Sequence, residues 1–464
     1  MTSSLSRLAR LVMMAVLLTL SVAPPATAAE VQPSVLRDAE AELLFREMSA
    51  PLIRAAEMDP KNVEVVLLNS PTVNAFVDRG QRVYIYSGLM LEADNVNELQ
   101  GVIAHELGHV AGGHGIRLDQ GSREATGITL ATLILGALAV AAGAGDAGLG
   151  IMMAGQRAAL GRLLAFSRTQ ESSADQAGAK YLSAAGVTGK GLVRFFGKLQ
   201  KEEFRLAIYA TESYDRTHPL STERVSALAD VLSRDAAWDK PVDPQLNQRF
   251  ERVKAKLIGY VNPKQAVIKY PESDQSVPAH YARAYAYHVG GYPQKALGEA
   301  DALLAKDPDD PFFLELKGQV LLESGRPADA IAPLREATER SGNTPLIAAM
   351  LGHALIATEK RENFPEAKQV LKAAVGRDNQ NPFAWYQLGI IYDREGDLSR
   401  AALATAERNN LEGKPKLALV SAEMAMKGIA RGTPDYLRAQ DIAMVSCAEL
   451  KKDKNEKKNA RCSK

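Results

Sequence analysis

Cysteine is nearly absent. The 464 residues include two, Cys447 and Cys462, both within the last twenty positions. A small disulfide-stapled fold and a cysteine-held metal site in the body of the chain are thereby excluded, and a single bridge between the two is expected if the chain reaches an oxidising compartment. Histidine is scarce, with seven residues, so a pair at metal-binding spacing stands out. Net charge is also missing: 56 Lys and Arg against 55 Asp and Glu leave +1, which removes a global electrostatic case for nucleic acid. Lys451, Lys452, Lys454, Lys457 and Lys458 are interrupted by Asp453 and Glu456, so residues 446–464 read as a solvated basic tail.

Long apolar runs are few. Arg7 and Arg10 precede Leu11 to Val22, a run too short for a comfortable membrane span, and Ala26-Thr27-Ala28 follows as a small-residue cleavage site. Residues 1–28 therefore read as a signal peptide, with Pro24 and Pro25 against a continued anchor helix. Gly127 to Gly145 is free of charge and long enough to span. One crossing there would place the candidate ligands described next on opposite sides of a membrane. Burial in the fold is expected, with Asp146 at the turn of a helical hairpin; shallow insertion into a membrane surface is the alternative.

His105-Glu106-Leu107-Gly108-His109 carries the chemistry. Histidines four apart share a helix face, so both imidazoles can hold one metal ion, and Glu106 can reach a water beside it. Asn95 and Glu98 read as a capping-box start, and Val96, Leu99, Val102, Ile103, Leu107 and Val110 recur at helical spacing. A third histidine of the H-E-x-x-H-x-x-G-x-x-H pattern is missing: Gly112 fits, position 115 is Gly115, and His114 falls one residue early. The other solution is a glutamate from a second helix. Glu171 and Asp175 lie four apart, so Glu171 can complete a His₂Glu set for Zn²⁺ while Asp175 accepts the N–H of a ligand histidine. Arg168 is placed to pair with either carboxylate. Glu106 is the expected general base of a peptide hydrolysis, taking a proton from water and passing it to the leaving amine.

Residues 36–58 show helical amphipathicity. Val63 to Leu68 reads as a strand, and Val73–Val77 with Arg82–Ser87 as a hairpin around Asp78-Arg79-Gly80-Gln81. Prolines at 241, 244, 263 and 271 mark residues 236–276 as a connector with one helical stretch, Leu246 to Leu257. Beyond it the chain repeats. Trp385-x-x-Leu388-Gly389-x-x-Tyr392 is a tetratricopeptide signature, and Ala296, Ala330, Ala367 and Ala401 recur at steps of 34, 37 and 34. The longer step fits a small insertion at Glu362-Asn363-Phe364. Residues 416–445 are expected to form one further capping pair. His280, His288 and His353 fall on repeat helices as packing or surface residues.

H-E-L-G-H, then R-x-x-E-x-x-A-D, then Thr217-His218-Pro219, with Asn74-Ala75-Phe76 and Ser87-Gly88-Leu89 upstream, resembles the gluzincin family of the CAAX prenyl endopeptidases and their periplasmic relatives. The resemblance covers about residues 35–230. It implies an α+β zincin-like metalloprotease domain, here 29–235, followed by an all-α tetratricopeptide-repeat solenoid at 277–445. It implies one Zn²⁺ and places His218 near it, either supporting the oxyanion or occupying the fourth zinc position. Arg224 is expected to steady that region and to face substrate. The hairpin would border the cleft, so that Asn74, Ala75 and Tyr84 meet an extended polypeptide. The resemblance points to a periplasmic endopeptidase acting on outer-membrane β-barrel proteins, with repeats recruiting clients or assembly machinery. A repeat-based chaperone or assembly factor with a largely latent protease is the competing reading, and a membrane-surface peptidase recruited by residues 127–145 is a third.

Overall fold

The computed structural model describes residues 33–78, 80–141, 145–206 and 218–452. The expected signal peptide, Thr217, Cys462 and most of the basic tail lie outside them. Cys447 is disulfide-bonded.

Strand β1 (Ser34–Leu36) precedes helix α1 (Ala39–Ala55), which Asp38 caps by accepting from the Ala41 N–H. Strands β2 (Glu64–Asn69), β3 (Ala75–Val77) and β4 (Arg82–Tyr86) complete a sheet of order β1-β2-β4-β3. β2 runs parallel to β4, with Leu67 opposite Ile85, and β3 runs antiparallel to it, with Phe76 opposite Tyr84. Alternation sends Val83 and Ile85 into the core, while Phe76 and Tyr84 stack on the other face at 4.8 Å. Ser87 does not extend the strand; it opens a short helix α2 (Ser87–Glu92).

Helix α3 (Val96–Gly112) is the centre of the protease core and nearly all of it is buried. Asn95 accepts from the Glu98 N–H, but the return arm of the expected box shifts by one residue: Glu98 Oε2 accepts from Asp94 N–H at 2.9 Å. Gly113, at φ +61°, ends the helix in the left-handed conformation that glycine tolerates best. Helix α4 (His114–Ala141) leaves immediately, and α5 (Gly145–Ala185) returns against it. These two form the anticipated hairpin, but the expectation of burial fails. Leu130, Ile134, Leu135, Leu149 and Met153 are all more than half exposed, because only the later part of α5, from about Glu171, meets the core. Among the described residues no helix is long and apolar enough to cross a membrane.

Helices α6 (Lys190–Leu206) and α7 (Thr222–Ser233) close the core with Leu192, Phe195, Phe196 and Leu228. The stretch expected as a connector carries more structure than a tether. In α8 (Pro244–Val261), Phe250 and Val253 enter the protease core, whereas Ala255 and Ile258 pack on α10 (Val277–Val289), beyond the short α9 (Pro263–Lys269). A charged seam reinforces this joint. Tyr281 Oη donates to Glu40 at 2.8 Å, Arg252 bridges Glu40 and Asp310, Lys256 pairs with Asp38, and Arg37 reaches Asp378. The repeats are docked on the protease rather than strung from it.

The repeat helices pair as α10 with α11 (Pro293–Lys306), α12 (Pro311–Glu323) with α13 (Pro327–Arg340), α14 (Pro345–Ala357) with α15 (Phe364–Arg377), and α16 (Pro382–Arg394) with α17 (Leu398–Leu411). The pair α18 (Pro415–Gly428) and α19 (Pro434–Lys452) follows as anticipated. The 37-residue step is explained by a single 3₁₀ turn at Arg361–Asn363, inserted after Glu359 takes the positive-φ position.

Candidate metal centre

Two helices cross to build the site. On α3, His105 and His109 lie one turn apart and both are buried. On α5, Glu171 and Asp175 face them. The approach is close because Gly108 has no side chain: a Cβ there would stand 2.7 Å from the carbonyl oxygen of Ala174. The glycine in H-E-L-G-H is thus what lets a carboxylate from α5 reach the histidines.

Four donors converge. His105 Nε2 and His109 Nε2 are 3.1 Å apart, and each is 3.4 Å from an oxygen of Glu171. His218, from the loop before α7, brings its Nδ1 to 3.3 Å from His105 Nε2 and 3.1 Å from Glu171 Oε1. The ligand atoms all fall within 4.8 Å of one another. For bonds of about 2.0–2.1 Å, a tetrahedral ion separates its ligands by about 3.3–3.4 Å. Five separations, counting both oxygens of Glu171, lie at 3.1–3.4 Å, close to that length.

Around the donors lies a layer that orients them. Asp175 Oδ1 stands 3.0 Å from His105 Nδ1 and fixes that ring. Arg168 does not serve as its partner; it is exposed. Arg224 takes the place instead. Its Nε and Nη2 donate to the two oxygens of Asp175 at 2.8 and 2.9 Å, Nη2 also meets Glu171 Oε2 at 3.1 Å, and Nη1 donates to the Pro219 carbonyl at 2.5 Å. Arg224 is largely shielded, with its side chain 9% exposed, and it ties both carboxylates to the loop that carries His218.

Two residues of this layer were not anticipated. His114 Nδ1 lies 2.9 Å from His109 Nδ1, and a Cβ at Gly112 would collide with the His114 ring. Its spacing failed as a ligand pattern because the chain breaks direction at Gly113, where helical periodicity stops predicting neighbours. Phe196 makes a T-shaped contact with the His105 ring at 5.4 Å, with Arg224 5.9 Å over the same phenyl. A lone aromatic on an amphipathic helix carries no sequence signal of that kind.

The electrostatics are those of a cation site. Burial opposes the protonated form of His105, yet Asp175 and Glu171 overcome it and push the group up to about 10. Burial drives His109 the other way, aided by the neighbouring His105 and His218. Burial also works against the Glu171 carboxylate, but His218 and His105 hold it well below the usual range. Glu106 is fully buried, with Oε1 3.6 Å from His218 Nε2.

At the sheet, Asn74 is buried and its carbonyl accepts from the Tyr86 N–H at 3.0 Å. Register turns the N–H and C=O of Ala75 to the outer side of β3, the edge strand, yet Ala75 is fully buried, so that edge is covered here. Tyr84 offers no such edge. β4 is flanked on both sides, and the Tyr84 hydroxyl is given to Asp78 at 3.2 Å.

Comparison with known proteins agrees with this geometry. Residues 39–232 match Peptidase family M48, and residues 281–345 and 354–409 match the tetratricopeptide repeat. The chain is 27% identical over 361 residues to a beta-barrel assembly-enhancing protease of Yersinia pestis, covering 75% of this chain and 71% of the relative. It is 24% identical over 385 residues to the Escherichia coli (strain K12) protein of the same name, covering 80% and 76%. It is 34% identical over 180 residues to the metalloprotease LoiP of Escherichia coli, covering 38% and 64%.

Proposed function

From a metalloendopeptidase with a peptidase family M48 domain joined to tetratricopeptide repeats, we infer a zinc enzyme that works in the periplasm on outer-membrane β-barrel proteins. The observation that carries the zinc assignment is the convergence of His105, His109, Glu171 and His218, whose nitrogen and carboxylate donors suit Zn²⁺. When bound, zinc lowers the pKa of a coordinated water from 15.7 towards about 7 and polarises the scissile carbonyl.

The chain's own residues do the rest. Glu106 accepts the proton of the attacking water and delivers it to the departing amine nitrogen. Asp175 keeps His105 in the tautomer that turns Nε2 towards the site. The edge strand β3 is where an extended polypeptide would add by backbone hydrogen bonds, a mode that leaves side-chain identity largely unread, once the cover over the fully buried Ala75 is moved aside. The repeats supply a surface, far in sequence from the ligands, for recruiting clients or assembly machinery. The names of the relatives support the β-barrel connection, and the apolar segment Leu11 to Val22 with its small-residue site supports export.

One observation favours a second reading, in which the enzyme rests in a latent state and the protein serves mainly in assembly. His218 Nδ1 occupies the corner of the donor set that a catalytic zinc site leaves open.

Metal analysis of Glu171→Ala tests the assignment. One zinc per chain is expected in the parent protein and marked loss in the variant; full retention would remove Glu171 from the ligand set.

A further inference from the structure

The outer part of the α4–α5 hairpin has no role in the chemistry above. Between Glu124 and Arg157 the chain carries one charge, Asp146. Leu130, Ile134 and Leu135 on α4 and Leu149, Met153 and Leu160 on α5 are each more than half exposed. So much exposed apolar surface on one projection marks a contact site. We propose that this tip inserts into one leaflet of a phospholipid membrane.

Direction, depth and charge select lipid as the occupant. At 100° per residue, Leu130, Ile134 and Leu135 fan over about 140° of α4, and Leu149 and the partly exposed Ile151 stand on nearly opposite sides of α5. A protein groove covers one stripe; hydrocarbon covers every side. The charge-free end of α4, Gly127 to Ala141, is about 22 Å long at 1.5 Å per residue, and Gly145 to Gly155 of α5, whose single charge is Asp146 at its start, about 16 Å. One leaflet of hydrocarbon is about 15 Å deep, half of a core of about 30 Å. The tip therefore fills a leaflet and its interface without crossing. At the level where charge resumes, Arg123, Arg157 and Arg162 are exposed, with Glu124 paired to Arg162 at 3.3 Å. A cationic collar at that height meets lipid phosphates.

The hairpin also has a defined relation to the metal centre. α4 begins at His114, which touches His109, and α5 carries Glu171. From Gly145 to Glu171 is roughly 40 Å of helix, so a tip sunk through one leaflet holds the cleft roughly 25 Å above the hydrocarbon. This would confine cleavage to chains emerging at the membrane surface. The inference stands on the exposed surface and the charge pattern, independently of the proposed substrate.

Vesicle flotation tests it. The zinc-loaded protein, purified in its exported form, is floated with vesicles of phosphatidylethanolamine and phosphatidylglycerol. It is expected to rise with them, and more weakly with phosphatidylcholine alone. Leu130→Glu/Ile134→Glu/Met153→Glu should lower the bound fraction at least about a hundred-fold, since each carboxylate opposes transfer into hydrocarbon. Zinc content and helical circular dichroism of that variant should match the parent. The indole introduced by Ile134→Trp should be quenched by brominated acyl chains. Absence of flotation, equal flotation of the triple variant, or unquenched indole fluorescence in the Ile134→Trp variant would each overturn the proposal, as would self-association through the tip without vesicle binding. Cleavage of casein in solution is read alongside, so that an inactive protein that still floats counts against the proposed activity and not against this surface.

Discussion

Arg224 clasps Asp175 through two parallel hydrogen bonds, Nε to Oδ2 at 2.8 Å and Nη2 to Oδ1 at 2.9 Å. The same guanidinium holds Glu171 and the carbonyl of Pro219, so one side chain aligns the carboxylate ligand, the residue that orients His105, and the loop of His218. A planar fork is needed for this, and lysine does not supply one. Arg224→Lys should weaken zinc binding about 10–100-fold, the usual effect of losing an orienting partner. Titration against a chromogenic chelator reads it directly. Unchanged affinity in the lysine variant would reduce Arg224 to a packing residue.

Glu106→Gln should keep the fold and the zinc but lose turnover by about 10²–10⁴. Glutamine is nearly isosteric and cannot take a proton. Cleavage of an unfolded client at the parental rate, measured on protein free of other proteases, would assign proton transfer to another group.

His218→Ala separates the two roles that its position allows. If its Nδ1 masks the site, the variant gains cleavage of unfolded clients or cleaves itself. If it supports the oxyanion, the rate falls by roughly 10²–10³. The 3.1 and 3.3 Å approaches of Nδ1 to Glu171 and His105 favour the gain. A strong loss on every client tested would remove latency.

Glu315 should make stability depend on pH. Burial beside the charged seam pushes its carboxyl up to about 8 against an ordinary 4.5, with Lys256 only partly opposing. The folded state therefore binds a proton over a window in which the unfolded state has lost it. Stability falls as pH rises from about 4.5 to about 8. Glu315→Gln removes this slope, so its melting temperature should exceed that of the parent more at pH 8 than at pH 5. Parallel melting curves at the two pH values would place the ionised group elsewhere.

Local rules carried the sequence a long way. An α-helix turns every 3.6 residues, so H-E-x-x-H and E-x-x-x-D announced two faces, and a 34-residue period announced stacked helix pairs. Zinc, the general base and the order of the domains followed from these and from the family resemblance. Tertiary structure decided everything that depends on which distant segments meet. The helix crossing at Gly108 and Ala174 brings Glu171 to His109, the loop after the undescribed residues 207–217 brings His218 to both, and Arg224 displaces Arg168 because it starts from that loop. Removing the repeats at Ser276, simple on a reading of residues 236–276 as a tether, would uncover Glu40, Lys256 and Ile258 at a seam that buries them. Hydrophobicity likewise stated that residues 127–145 avoid water without stating where. Burial inside a core and exposure on a projecting hairpin satisfy the same composition, and only the course of the chain around the hairpin distinguishes them.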